Sequence, residues 1–177
     1  MKKILTLSFL CILLFEATQA QQNNADKNIP QNSFYAEIGG PGILFSANFD
    51  HRFNKSHLGF GFKAGLGFVS GYIQETPTGY FDNPSSVVTV PLQLNYIFGK
   101  SNSVHTFEVG AGVTIAGKKP SIFDFYNNSS SNVFGTASFM YRRQPKEGGF
   151  SWRIGFTPLI AKGYIQPSAG ASVGYNF

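Results

Sequence analysis

After its first twenty residues the chain has no cysteine, few charges and no long uninterrupted apolar segment. The one cysteine, Cys11, lies inside an N-terminal apolar run, ahead of any cleavage point where a lipid-carrying cysteine would stand. A processed chain would therefore have no disulfide, no thiol nucleophile and no cysteine metal site. Charged residues make up 13% of the sequence, about half the share usual in a soluble domain. The net charge is only +5 and the basic residues are scattered. A nucleic-acid groove needs them clustered with aromatics on one face, so no nucleic-acid partner is expected. No later segment approaches the ~18 consecutive apolar residues of a membrane-spanning helix.

The N-terminus reads as a processing segment. Lys2 and Lys3 form a positive start, Ile4 to Phe15 is apolar, and Thr18-Gln19-Ala20 offers small residues for cleavage. That order is a secretory signal peptide over residues 1–20. Its apolar run rises only ~18 Å as a helix, too little for a ~30 Å hydrocarbon core. Cleavage would remove Lys2, Lys3 and Glu16, leaving 12 basic and 8 acidic residues. Residues 21–32 are polar and rich in Gln and Asn, a disordered lead-in.

What the sequence has in plenty is aromatic and glycine: 19 Phe, 8 Tyr and 20 Gly. From residue 33 onward the hydrophobic period is two, the period of a strand. Leu58, Phe60, Phe62, Ala64, Leu66 and Phe68 alternate with Gly59, Gly61, Lys63, Gly65, Gly67 and Val69. The same alternation marks 88–98, 107–115, 150–160 and 169–177, and fits 33–39, 43–53 and 133–143 less cleanly. One face is greasy and the other is glycine or polar. A soluble sandwich would bury the first and leave the second bare. A narrow barrel with its greasy face in lipid suits both, because small residues fit the tight interior.

These segments predict eight strands over residues 33–177, and an even number brings both ends to one side. Short turns at 54–57, 100–103 and 145–149 alternate with long polar connections at 71–86 and 117–132. Gly40-Pro41-Gly42 and 162–166 are short connections on the long-loop side. The predicted fold is thus all-β, an eight-stranded antiparallel up-and-down transmembrane barrel. Lipid makes closure obligatory, since an open edge leaves backbone groups unpaired at several kcal/mol each. Pro91 and Pro158 each remove a ladder donor and are expected near strand ends or bulges. The chain stops at Phe177, with Tyr175 and Val173 at alternate positions before it. Such a terminal aromatic strand resembles the signal read by the outer-membrane barrel assembly machinery.

Phe34-Tyr35-Ala36-Glu37-Ile38-Gly39-Gly40-Pro41-Gly42 resembles the opening of a family of small bacterial outer-membrane β-barrel proteins of unassigned function, the OmpA/OmpX-like eight-stranded barrels. Val90 to Lys100 looks like its fourth strand and Phe107 to Gly112 like its fifth. Tyr141 to Pro145, Gly148 to Phe150 and Arg153 to Pro158 resemble its sixth and seventh. The resemblance implies a fold and a place in the outer membrane. It carries over no catalytic motif.

The candidate chemistry is sparse. His51, His57 and His105 fall at the short-turn end, away from the outer rim where lipid-modifying barrel enzymes work, and they lack metal-ligand spacing. No enzyme, cofactor or metal is therefore expected. Gly59, Gly61 and Gly65 lie in a strand with no helix after them, which removes the phosphate-loop context. Glu37, Asp50, Arg52, Lys63, Glu108, Arg142 and Arg153 all fall on lumen faces toward the short-turn end. Opposite charges there would plug the barrel with ion pairs, or form a gate for protons or small ions. Tyr72, Tyr80, Phe81, Ile122, Phe123, Phe125 and Tyr126 stand in the long loops, where exposed aromatics can grip an extracellular ligand or dip among lipid headgroups. The expected role is structural, or surface recognition through those loops. The alternatives are a narrow channel for small solutes or ions and a soluble lipocalin-like binding barrel.

Overall fold

Alternation of side chains organises every strand. The computed structural model describes residues 29–72, 85–117 and 131–177. Residues 1–20, read from the sequence as a signal peptide, most of the lead-in and the loop aromatics Tyr80, Phe81, Ile122, Phe123, Phe125 and Tyr126 lie outside the described residues. The strands are β1 (Asn32–Gly39), β2 (Phe45–Arg52), β3 (Gly59–Tyr72), β4 (Ser85–Gly99), β5 (His105–Ala116), β6 (Val133–Arg143), β7 (Gly149–Phe156), β8 (Leu159–Ala161), β9 (Tyr164–Gln166) and β10 (Ala169–Asn176).

All pairings are antiparallel. The sheet runs β5-β4-β3-β2-β1-β10-β7-β6, and β5 pairs with β6 to close it. β7 with β8 makes one stave and β9 with β10 another, so the barrel has the eight staves predicted. Closure pairs every wall strand, which is what a sheet in hydrocarbon requires.

Pro158 divides the seventh stave. It accepts a hydrogen bond from the Ala137 amide (3.1 Å) but has no N–H to return. The register is continuous across it, with Phe139 opposite Phe156 and Gly135 opposite Ile160. Pro91 departs further from expectation. It stands mid-β4 facing the lumen, paired with Thr114, and the one register shift between β3 and β4 lies elsewhere, between Val69 and Tyr72. The β3–β4 ladder passes from Ala64–Leu92 to Gly67–Thr89 with no pair at Pro91, so its missing donor falls in a gap of that ladder.

Residues 29–32, read from sequence with the disordered lead-in, are structured. Pro30 is buried, and Gln31 accepts from the Arg52 amide (2.8 Å). Asn32 exchanges backbone hydrogen bonds with Phe177 at 3.0 and 2.9 Å.

The large apolar residues face outward over the whole wall. Phe34, Ile38, Phe60, Leu66, Leu94 and Phe139 are each at least 55% exposed. The inward residues are buried, and most are polar or charged.

Candidate functional site

The interior is built in three levels. At the level nearest the chain termini lie six charged side chains from five strands. Asp50 and Arg52 come from β2, Lys63 from β3, Glu108 from β5, Arg142 from β6 and Arg153 from β7. With Glu37 from β1, these are the seven charges predicted to face the lumen, and each is at most 4% exposed. Asp50 pairs with Arg52, with Arg142 at 2.8 Å and with Arg153 at 3.7 Å. Glu108 pairs with Lys63 at 3.1 Å, Arg142 at 3.0 Å and Arg153 at 3.4 Å. Asn95 ties the two carboxylates together, donating to Asp50 at 3.4 Å and Glu108 at 3.3 Å.

Further donors are placed, although Arg52 Nε, Arg142 Nε and Arg153 Nη2 are buried without a hydrogen-bond partner among the described residues. Arg142 donates to Ser33 (3.1 Å), Arg52 to the Gly59 carbonyl (3.1 Å) and Arg153 to Ser172 (2.9 Å). The Arg153 guanidinium lies 3.3 Å from the centroid of the Tyr35 ring, a cation–π contact in a desolvated setting. A charge this deep is tolerated only when paired and hydrogen-bonded.

Glu37 stands apart. Among the described residues it has no ion-pair partner. It accepts long contacts of 3.5 Å from Ser46 and Asn48, and a Cβ added to Gly40 would meet its carboxyl at 2.7 Å. It therefore belongs to the middle level, which is polar and mostly uncharged. There Gln93 donates to Thr136 (2.7 Å) and Asn48 to Ser46 (2.8 Å).

The outer level was not anticipated. Gly40-Pro41-Gly42, expected as a plain connection between strands, is a 310 turn folded into the barrel mouth. All three residues are buried, and the turn touches β1, β3, β4, β5, β6 and β10. Thr89 donates to the Gly42 carbonyl (3.0 Å) and Thr114 to the Pro41 carbonyl (2.8 Å). The chain enters through Gly39 at φ 71° and leaves through Ile43 at φ 84°. Gly39 adopts that angle freely, whereas Ile43 is strained by it. Beside the turn lies an apolar cluster of Val87, Ala116, Phe134, Leu159 and Ala161. The available signal for the turn was its length: three residues rich in glycine are too few to project, and two threonines face inward near it.

At the opposite mouth, His57 stands at the short-turn end as expected and is tucked in, 5% exposed. Ile97 and Gln144 are buried at the same end. His51 and His105 do lie on the outer wall, His51 bonded to Asn32 at 2.8 Å and His105 to the Tyr141 hydroxyl. Val173, Tyr175 and Phe177 all face outward. Tyr72 ends β3.

No family model and no curated protein matches the chain. Two solved structures are similar in fold. The N-terminal β-barrel domain of Pseudomonas aeruginosa OprF has a TM-score of 0.56 and 12% identity, over 85% of this chain and 98% of that one. The Yersinia pestis outer membrane protein Ail, in a phospholipid bilayer nanodisc, has a TM-score of 0.51 and 12% identity, over 84% of this chain and 99% of that one. Both likenesses span nearly the whole of the other chain, and the staves described above account for the match. This chain has the fold of the small eight-stranded outer-membrane β-barrels.

Proposed function

We propose that the protein is a non-enzymatic outer-membrane barrel with a closed lumen, serving as a rigid support for its outward loops rather than as a pore. The observation that carries this is the inversion of the molecule. Its exposed wall is apolar, while its interior holds Asp50, Glu108, Lys63 and three arginines in ion pairs. Such an apolar wall would aggregate in water and is at ease in hydrocarbon. A soluble ligand-binding barrel needs the opposite arrangement, with an apolar cavity inside.

Three levels of filling support closure. Ion pairs, a polar middle and the Gly40–Gly42 turn with its apolar cluster fill successive heights of the lumen. An eight-stranded barrel is only wide enough for side chains to fill it. The C-terminal residues Val173, Tyr175 and Phe177 would be read by the barrel assembly machinery before closure. The long loops would carry any extracellular recognition.

Two measurements test the proposal. Urea-unfolded protein diluted into detergent micelles should give a compact, faster band when unboiled and a shifted band after boiling. In planar bilayers the folded protein should show no stepwise conductance. A folded protein soluble in plain buffer would sink the membrane reading, and regular single-channel steps would replace the closed barrel with the channel.

A further inference from the structure

Pairing across the wall joins two outward features that lie on different strands. On the face of β1, β2, β3, β7 and β10 is an apolar groove of about 830 Å³. Its floor is Ala36, Ala47 and Ala171, and its walls include Phe45, Phe68 and Trp152. On β5–β7 at the short-turn end is an ordered cluster. His105 stacks on Tyr141 (centroids 5.9 Å, 25°), and Tyr141 packs against Trp152 at 5.4 Å. Arg143 stands opposite both His105 and Trp152 in the ladder.

These features lie on one continuous row. Arg143 is opposite Trp152, Trp152 opposite Val173, Val173 opposite Ala36, Ala36 opposite Ala47 and Ala47 opposite Leu66. The row starts at the end of β6, passes Trp152 near the start of β7, and meets β3 well above its first residue. It therefore climbs the wall obliquely, as strand tilt requires. From β6 to β2 it crosses four strand spacings, about 19 Å at ~4.8 Å each. Tilted at ~40°, that is a rise on the order of 12 Å, inside the ~15 Å of one leaflet's hydrocarbon.

The end where the row starts is basic. Lys55, Lys100, Arg143 and Lys146 lie in its turns and outer wall, against Glu147 alone among the described residues. We propose that this wall holds an anionic glycerophospholipid of the periplasmic leaflet, its phosphate at Arg143 beside Tyr141 and Trp152, and one acyl chain laid along the Ala36–Ala47 groove. The inference rests on the outer-membrane reading above. A cation backed by an aromatic cluster at the headgroup level fixes the phosphate. The alanine floor gives the chain a track between the bulkier Phe45, Phe68 and Trp152.

The test uses the chain's single tryptophan, Trp152, which belongs to both the cluster and the groove. The folded protein is placed in phosphatidylcholine bilayers containing a minor fraction of either brominated phosphatidylglycerol or brominated phosphatidylcholine. The anionic lipid should quench Trp152 as if enriched about fivefold over its bulk fraction, the scale of one arginine at an anionic surface. Arg143→Gln and Ala47→Phe should each return it to the bulk fraction, and Arg143→Lys should keep most of the enrichment. The boiled–unboiled band shift shows that each variant has folded. Equal quenching by the two lipids in the unaltered protein overturns the site. Quenching by both that rises as the protein is diluted in the bilayer overturns it too, since a second copy would then cover the wall. No quenching by either removes the membrane barrel itself, and the site with it.

Discussion

His57 sits in the turn between β2 and β3 yet is almost completely covered. Burial, with repulsion from Lys146 and Arg142, holds its pKa below the usual histidine value. The folded protein thus takes up this proton less readily than the unfolded chain. Its contribution to stability is complete above pH ~6.5 and declines as pH falls toward the lower folded value, because only the unfolded chain is protonated in between. The urea midpoint should therefore drop between about pH 7 and about pH 5, and His57→Gln should flatten that slope. An unchanged slope in the variant would assign the dependence to other groups. The alternation of the strands told nothing of this, since a turn has no period from which to read a residue's face.

At the scale of the element, the Gly40–Gly42 turn is held by two threonine hydroxyls from neighbouring strands. Replacing both, Thr89→Val with Thr114→Val, leaves two buried carbonyls without those donors. The expected loss is ~1–3 kcal/mol per site. Hydrogen exchange gives a local readout: the amides of Gly39 and Ile43, bonded to Leu44 (2.8 Å) and Gly40 (3.0 Å), should exchange faster. Unchanged exchange there would mean that the turn holds its place without the threonines. The strands themselves were legible because a period of two survives any pairing. β1 and β6 fit that pattern poorly for a physical reason now visible. They turn Tyr35, Phe134 and Met140 inward, one under a guanidinium and another into the apolar cluster. Pro91 was hard to place because the gap it occupies in the β3–β4 ladder depends on register, which a single strand does not carry.

At the scale of the whole molecule, the lumen charges form a network around the circumference. Their inward direction was readable strand by strand. Their partners were not, because partners depend on how far each strand is staggered round the barrel, and single-strand patterns do not carry that. Glu37 shows the difference: its face was foreseeable, its separation from the other six was not. Glu108 meets cations from β3, β6 and β7, so Glu108→Gln leaves several charges poorly matched. It should destabilise the barrel by ~3–5 kcal/mol, measured by urea unfolding in detergent, with no large conductance in bilayers. Adding Lys63→Met should recover part of the loss. A large conductance from Glu108→Gln would mean that the ion pairs, rather than the whole filling, keep the lumen shut.

The seam between β1 and β10 differs in kind from every other junction in the wall. Each remaining neighbour is reached by turning back along the chain, so its pairing can form early and locally. The seam joins Asn32 to Phe177, across nearly all the described chain. Its loop-closure entropy is the largest in the molecule, and topologies of that kind fold slowly. The unclosed sheet would meanwhile have two bare edges beside an apolar face. The time spent waiting for that final meeting, more than the strength of any one contact, sets how long the chain is vulnerable to aggregation on its way into the bilayer.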